Sequence, residues 1–137
     1  MILRINTDGG AKGNPGPAAI GVVACLDDQE IFTYREDLGV ATNNEAEYLG
    51  LIRALEKVAS GAVTKQEFER IECRADSLLM VNQLNGLWKV KEARIREFVM
   101  KIRILEGTIN KPISYKHVPR EQNKIADALV NDDYKKS

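Results

Sequence analysis

The chain has 137 residues, 15.3 kDa, 20 basic and 20 acidic side chains, and a formal net charge of zero. That length suits one compact domain over residues 1–137 with its own hydrophobic core, and ordinary apolar and charged fractions argue against disorder. No apolar run approaches the ~20 residues needed to span a bilayer, and the opening MILRINTDGG is too short and polar for a signal peptide, so a cytoplasmic monomer with no membrane partner is expected.

Taken in order, the chain opens with alternation. Ile2, Arg4, Asn6 and Asp8 fall on one face and Leu3, Ile5 and Thr7 on the other, which predicts a strand ending at Asp8. The Gly- and Pro-rich run 9–17 reads as a turn. Two strands, 18–26 and 30–36, follow as a hairpin joined at Asp27-Asp28-Gln29. Residues 43 to about 59 have helical periodicity, with Thr42 or Asn43 as N-cap and Gly61 as the stop. A strand is expected at 69–75, then a short helix from Asp76-Ser77 to about Leu84, broken by Asn85-Gly86. Ile95, Phe98, Val99, Ile102 and Leu105 mark an amphipathic helix ended by Gly107. A last strand at 112–118 and a helix from Pro119-Arg120-Glu121 complete the series, with a frayed polar tail at 132–137. This order predicts a mixed sheet flanked by helices, antiparallel early and parallel later.

The two cysteines, Cys25 and Cys73, sit in strand-like apolar runs without CxxC spacing and read as packing residues. The single histidine, His117, excludes a His-rich zinc site. Zero net charge counts mildly against a nucleic-acid partner. Basic residues nevertheless crowd Lys89, Lys91, Arg94, Arg96, Lys101 and Arg103 against only Glu92 and Glu97, a pattern that taken alone reads first as a solvated helix face.

Among the acids, the test is which ones point inward, where an unpaired carboxylate is costly. Projected at 100° per residue, the helix after Asn43 puts Glu47 on the stripe of Leu51, Ala54, Leu55 and Val58. Glu45 falls on the opposite side with Arg53 and Glu56 and reads as a solvated acid. Glu47 either points inward or snorkels from the stripe edge. Asp8 and Asp76 end predicted strands, the end at which open α/β sheets build sites. Asp76 also suits an N-cap. Asp127 lies at the margin of the stripe of Ile125, Ala126, Leu129 and Val130, where a surface acid is the ordinary outcome. Together, four carboxylates with almost no histidine would make a hard oxygen site for magnesium or manganese, and two such ions would suit in-line phosphoryl displacement.

The segments carrying these acids are TDGGAKGNPGPAAIGVV, ATNNEAEYLGLIRAL, CRADSLLMVNQLNGLWKVK and HVPREQNKIADALVN, in that order. Together they closely resemble the type 1 ribonuclease H family from about residue 3 to residue 131. The resemblance implies a ribonuclease H-like α/β fold, with a five-stranded mixed sheet of order 3-2-1-4-5 flanked by helices. It implies a stand-alone endonuclease that cleaves the RNA strand of RNA–DNA hybrids and leaves 5′-phosphate and 3′-hydroxyl ends. The family's metal acids map onto Asp8, Glu47, Asp76 and Asp127 (Mg2+ or Mn2+, two ions per site). Asn14, Asn43 and Asn44 match minor-groove contacts, where the 2′-hydroxyl separates RNA from DNA, and Thr42 matches a DNA-phosphate contact. A turn role competes for Asn14.

Two departures from the family pattern stand out. The basic, Trp-rich helix of longer bacterial members is absent, because Asn85–Lys91 passes directly to the next helix. Trp88, Lys89 and Lys91 offer partial replacement by stacking and phosphate contact, although core packing is the preferred expectation for Trp88. The second departure is the family's mobile-loop histidine. Ungapped spacing places it at His117, inside the last strand, whereas a short loop deletion, the preferred alignment, places Arg120 there. Other readings are a nuclease or resolvase for another nucleic acid and a non-catalytic binding module. A nucleotide-dependent enzyme is disfavoured, since GGAKGNPG fits neither GxxxxGK[ST] nor GxGxxG.

Overall fold

The computed structural model describes residues 1–132. The strands are β1 (Ile2–Ala11), β2 (Gly16–Leu26), β3 (Gln29–Ala41), β4 (Arg70–Ala75) and β5 (Ile113–His117). They form one mixed sheet in the order β3-β2-β1-β4-β5. β2 is antiparallel to β1 and β3, while β1, β4 and β5 run parallel. The sheet order and its two halves are those expected from the sequence. The helices are α1 (Asn43–Ala59), α2 (Leu78–Leu84), α3 (Ala93–Ile109) and α4 (Lys124–Val130), with a 3-10 turn at Arg120–Gln122 before α4. Among the described residues no helix is long and apolar enough to cross a membrane.

The core lies between the sheet and the helices α1 and α3. Leu3 and Ile5 of β1, Ile20 and Val22 of β2 and Ile71 of β4 meet Tyr48, Leu51, Ile52 and Leu55 of α1 and Ile95 and Ile102 of α3, all at 1% exposure or less. Tyr48 stacks on Phe98 with ring centroids 6.3 Å apart. Cys73 is buried in this core and Cys25 is half-buried, both as free thiols.

The strands run further than the sequence suggests. β1 does not end at Asp8 but continues to Ala11, and the turn shrinks to residues 12–15. Pairing with β2 down to Ala11↔Ala18 gives the glycine run ladder partners that local propensity could not reveal. β3 likewise passes the expected end at Glu36 and reaches Ala41, pairing Gly16↔Ala41 after a register shift at Ala18/Ala19. α3 runs through Gly107, an open helix position, and ends at Asn110 in the left-handed conformation (φ 56°), which asparagine tolerates. The final helix starts at Lys124, after the 3-10 turn. The expected fraying of the tail concerns mainly residues 133–137, which lie outside the described residues.

Two helices approach the sheet closely, one on each face. A Cβ on Gly9 would stand 2.2 Å from the Ala46 carbonyl oxygen of α1. On the other face, a Cβ on Gly21 would stand 2.5 Å from the Ala126 carbonyl oxygen of α4. Gly50 returns the first contact, since its Cβ would lie 2.9 Å from the Asp8 carbonyl oxygen. Glycine is required at Gly9 because backbone, not a flexible side chain, occupies the space. Gly9→Ala is expected to lower the unfolding free energy by about 1–3 kcal/mol, the range of core overpacking, in urea denaturation followed by circular dichroism. A loss below about 0.5 kcal/mol, the range of neutral surface changes, would contradict this packing.

Candidate metal centre and nucleic-acid interface

Asp8 pairs with Gly21, so its side chain projects on the α4 face, while Gly9 faces α1. The β1–β4 ladder ends at Thr7↔Ala75, which leaves the β1 edge open just beyond. Glu47 reaches that edge from α1, and its Oε1 accepts the Gly9 N–H at 2.6 Å. Asp76 follows the last residue of β4. The short helix after it is capped by Ser77, whose Oγ accepts from Met80 N at 3.2 Å. Because Ser77 takes the cap, the carboxylate of Asp76 is left for the cleft.

Each of Asp8, Glu47 and Asp76 brings a carboxylate oxygen to within 4.8 Å of the others. Asp8 is 7% exposed, Glu47 9% and the Asp76 side chain 11%. Glu47 thus points inward rather than snorkelling. Oδ2 of Asp76 is buried and has no hydrogen-bond partner. The nearest cation is Arg120, whose Nε lies 3.7 Å away, beyond hydrogen-bond distance.

These groups repel one another's charge. Burial, more than any neighbour, pushes the Asp8 carboxyl up to about 7. The bond with Glu47 and the Gly9 N–H oppose that rise, and the charges of Asp76 and Asp127 add to it. Glu47 is raised well above the usual carboxylate range, first by burial and then by Asp8 and Asp76. Burial and mutual repulsion thus hold both carboxyls above the range of exposed carboxylates.

Asp127 is half-buried on α4 and lines the same cleft of about 770 Å3, outside the tight group of three. Its Oδ1 accepts from Asn131 Nδ2 at 3.3 Å. Asn123, one turn before Asp127 and given no role by the sequence, anchors the start of α4. At 1% exposure it donates through Nδ2 to the Thr7 carbonyl at 2.9 Å and accepts from Asn6 Nδ2 at 3.0 Å. A polar residue just ahead of an apolar helix stripe was the available signal.

Asn43, Asn44, His117 and Arg120 line the cleft of the acids, as do Lys12 and Arg35, which the sequence did not single out. Asn43 accepts the Ala11 N–H at 2.8 Å, and Asn14 accepts the Asn43 N–H at 3.0 Å. The β1–β2 turn and the start of α1 are thereby tied together. Thr42 is the N-cap, accepting from Glu45 N at 3.1 Å while Glu45 Oε1 accepts from Thr42 N at 3.0 Å. Glu45 is accordingly half-buried, 3.4 Å from Arg94, and not the freely solvated acid expected from the helix projection.

A second groove, about 560 Å3, adjoins through Asn44 and is lined by Leu79, Leu87, Trp88, Lys89 and Lys91. Trp88 is 46% exposed, which corrects the preferred expectation of core packing. Gln83 braces this groove, accepting from the Tyr48 hydroxyl at 2.7 Å and donating to the Lys89 carbonyl at 3.1 Å. His117 is the last residue of β5 and Arg120 opens the 3-10 turn, both exposed.

A family profile described as reverse transcriptase-like matches residues 6–133. Ribonuclease HI of Halobacterium salinarum is 42% identical over 127 residues, which cover 91% of this chain and 60% of that protein. A bifunctional protein of Mycobacterium tuberculosis is 37% identical over 134 residues, covering 96% of this chain and 35% of its own length. The chain therefore spans between about a third and three fifths of these curated relatives. Among solved structures, LC11-RNase H1 in complex with an RNA/DNA hybrid has a TM-score of 0.87 at 41% identity, covering 95% of this chain and 94% of that one. The match over residues 6–133, the identity to ribonuclease HI and the likeness to a solved RNase H1 over 94% of its chain show that this chain belongs to the type 1 ribonuclease H family.

Proposed function

We propose that the protein is a metal-dependent endoribonuclease that hydrolyses the RNA strand of RNA–DNA hybrids, leaving 5′-phosphate and 3′-hydroxyl ends. The observation that carries this reading is the convergence of Asp8, Glu47 and Asp76 within 4.8 Å in a cleft that also presents Asn43 and Asn44. Residues 1–137 act as one nuclease unit, and the hybrid bound by the similar LC11 enzyme supports the substrate assignment.

The donor set fits a hard divalent cation. It is all carboxylate, it is nearly buried, and one oxygen of Asp76 accepts no hydrogen bond from the protein. Asp8, Glu47, Asp76 and Asp127 would hold Mg2+ or Mn2+, two ions per site, which when bound supply a nucleophile at neutral pH and neutralise charge on the scissile phosphate. The chain's own residues do the rest. Asn14, Asn43 and Asn44 stand where amide groups would meet 2′-hydroxyls in a minor groove. Thr42 fixes the start of α1 beside them and takes a DNA-strand phosphate. Trp88, Lys89 and Lys91, exposed along the adjoining groove, stack on and neutralise the same strand.

Arg120, near Asp76 and on the turn before α4, fills the auxiliary place of the family's histidine, whereas His117 is held in β5. Arg120→Ala is expected to slow turnover by about tenfold, a typical cost for a group supporting a metal site. His117→Ala should leave turnover within about twofold, since it removes no direct partner of the acids. The reverse order in steady-state cleavage would give the auxiliary role to His117.

Asp8→Asn is expected to reduce cleavage of a labelled RNA–DNA hybrid in Mg2+ or Mn2+ by several orders of magnitude, with DNA duplexes untouched throughout. The same variant should raise the melting temperature of the metal-free protein at about pH 8, because it removes a buried charge. Full activity in this variant, or cleavage without divalent metal, sinks the mechanism.

The raised Asp8 carboxyl also dictates a pH dependence. Between its ordinary value of 3.8 and about 7, the folded protein holds a proton that the unfolded chain has released. Stability from this group is therefore fullest below the ordinary value and is lost as pH rises through about 7. Metal-free protein should be less stable at about pH 8 than at about pH 5.5, with saturating Mg2+ removing most of the difference. Urea unfolding at both values, with and without Mg2+, measures this. Metal-free stability that rises over the same interval would contradict the electrostatic account.

A further inference from the structure

We propose that Arg35, on β3, is a positioning residue for Asp127. The proposal rests on the reading of Asp127 as a metal-binding acid. Asp8, Gly21 and Arg35 form one row across β1, β2 and β3, because Asp8 pairs with Gly21 and Gly21 with Arg35. All three project on the face that carries α4. Gly21, in the middle, lets the helix descend until the Ala126 carbonyl would lie 2.5 Å from any Cβ there. Asp127 lines the cleft with Asp8 on the inner side of this row, and Arg35 takes hold of the helix from the outer side.

α4 has only seven residues. A helix that short has little stability of its own, so its orientation depends on what grips its ends. The N-terminal end is gripped by Asn123 through the Thr7 carbonyl. At the C-terminal end, Arg35 Nε donates to the Leu129 carbonyl at 2.7 Å, shorter than the 3.2 Å bond that oxygen accepts from Asp132 N. A donor with a full positive charge suits the negative end of a helix and is the stronger of the two. Asp37, 3.0 Å from Arg35 Nη1, orients the guanidinium in turn, and Asp132 lies 3.9 Å from Nε. Arg35 therefore acts on the metal site through the backbone two residues beyond Asp127 and contacts none of the group of three acids.

The test is Mn2+ binding to the metal-free protein by isothermal titration calorimetry, with hybrid cleavage measured in parallel. Arg35→Met keeps the aliphatic stem and removes the donor. It is expected to weaken Mn2+ binding and lower kcat by about tenfold, the usual cost of removing a group that orients a ligand, with KM for the hybrid unchanged. Arg35→Lys, which retains a charged donor, should recover much of the loss, and it also serves if Arg35→Met does not fold. In an Asp127→Asn background, Arg35→Met should cost nothing further, because its target is already gone. Unchanged Mn2+ affinity in folded Arg35→Met, or a full additional loss in the Asp127→Asn background, overturns the proposal. Wild-type protein that binds Mn2+ but leaves hybrids intact overturns the nuclease reading and spares this one.

Discussion

The contacts of Gly9 and Gly21 set the distances on which the acidic site depends. Backbone of α1 lies against one side of β1 and backbone of α4 against the opposite side of β2, each within a separation that admits no Cβ. Adjacent positions 8 and 9 face opposite ways along a strand, so a carboxylate from α1 and one from α4 would ordinarily be separated by the sheet. They share a cleft because β4 stops pairing at Ala75, just short of Asp8, and because the helices sit close enough for their side chains to reach the gap. The Gly9 N–H, beyond the end of that ladder, is bonded by Glu47. Sheet topology and the end of one ladder thus create the site, and the glycines set its dimensions.

The electrostatic consequence runs against stability. Three carboxylates, each around a tenth exposed or less, cannot all ionise cheaply at such separation. The fold tolerates them because the Gly9 N–H bonds Glu47, because burial raises the carboxyls of Asp8 and Glu47, and because the surrounding core is well packed. A site that stores repulsion in this way would be relieved by a small, highly charged cation. The Asp76 oxygen without a hydrogen bond points the same way locally, since a buried acceptor without a close donor is costly.

Much of this arrangement was legible in the residues, and the reasons differ from one to the next. Glu47 was separable from Glu45 because helical periodicity is a local property that tertiary structure seldom overrides. The same projection misjudged Glu45, since a capping box is set by three-dimensional geometry at the helix start and Thr42 was one of two candidates. Asp76 is ambiguous in sequence between a cap and a site acid, and Ser77 takes the cap in the structure. β1 and β3 were cut short because glycine-rich and charged stretches carry weak strand propensity, and their pairing partners lie elsewhere in the chain. Core packing is the preferred expectation for Trp88 over stacking, whereas in the structure it lies in the connection between α2 and α3 and is 46% exposed. Arg35 and Asn123 carry no signal of their role in the sequence because that role exists only through α4, whose placement no local pattern specifies.

The zero net charge, which at first argued against a nucleic-acid partner, gains a different meaning from the placement of charge. The acids at the centre of the cleft would repel a polyanion, while Lys12 and Arg120 at the cleft and Lys89 and Lys91 in the adjoining groove would attract one. A hybrid could therefore be held along its backbone by the basic margins and still be turned away from the centre unless cations stand between carboxylate and phosphate. On that reading, the metal is a condition for close approach of the scissile strand as well as for the chemistry. Net charge alone could not convey this, because it sums over a surface whose function depends on keeping the two signs apart.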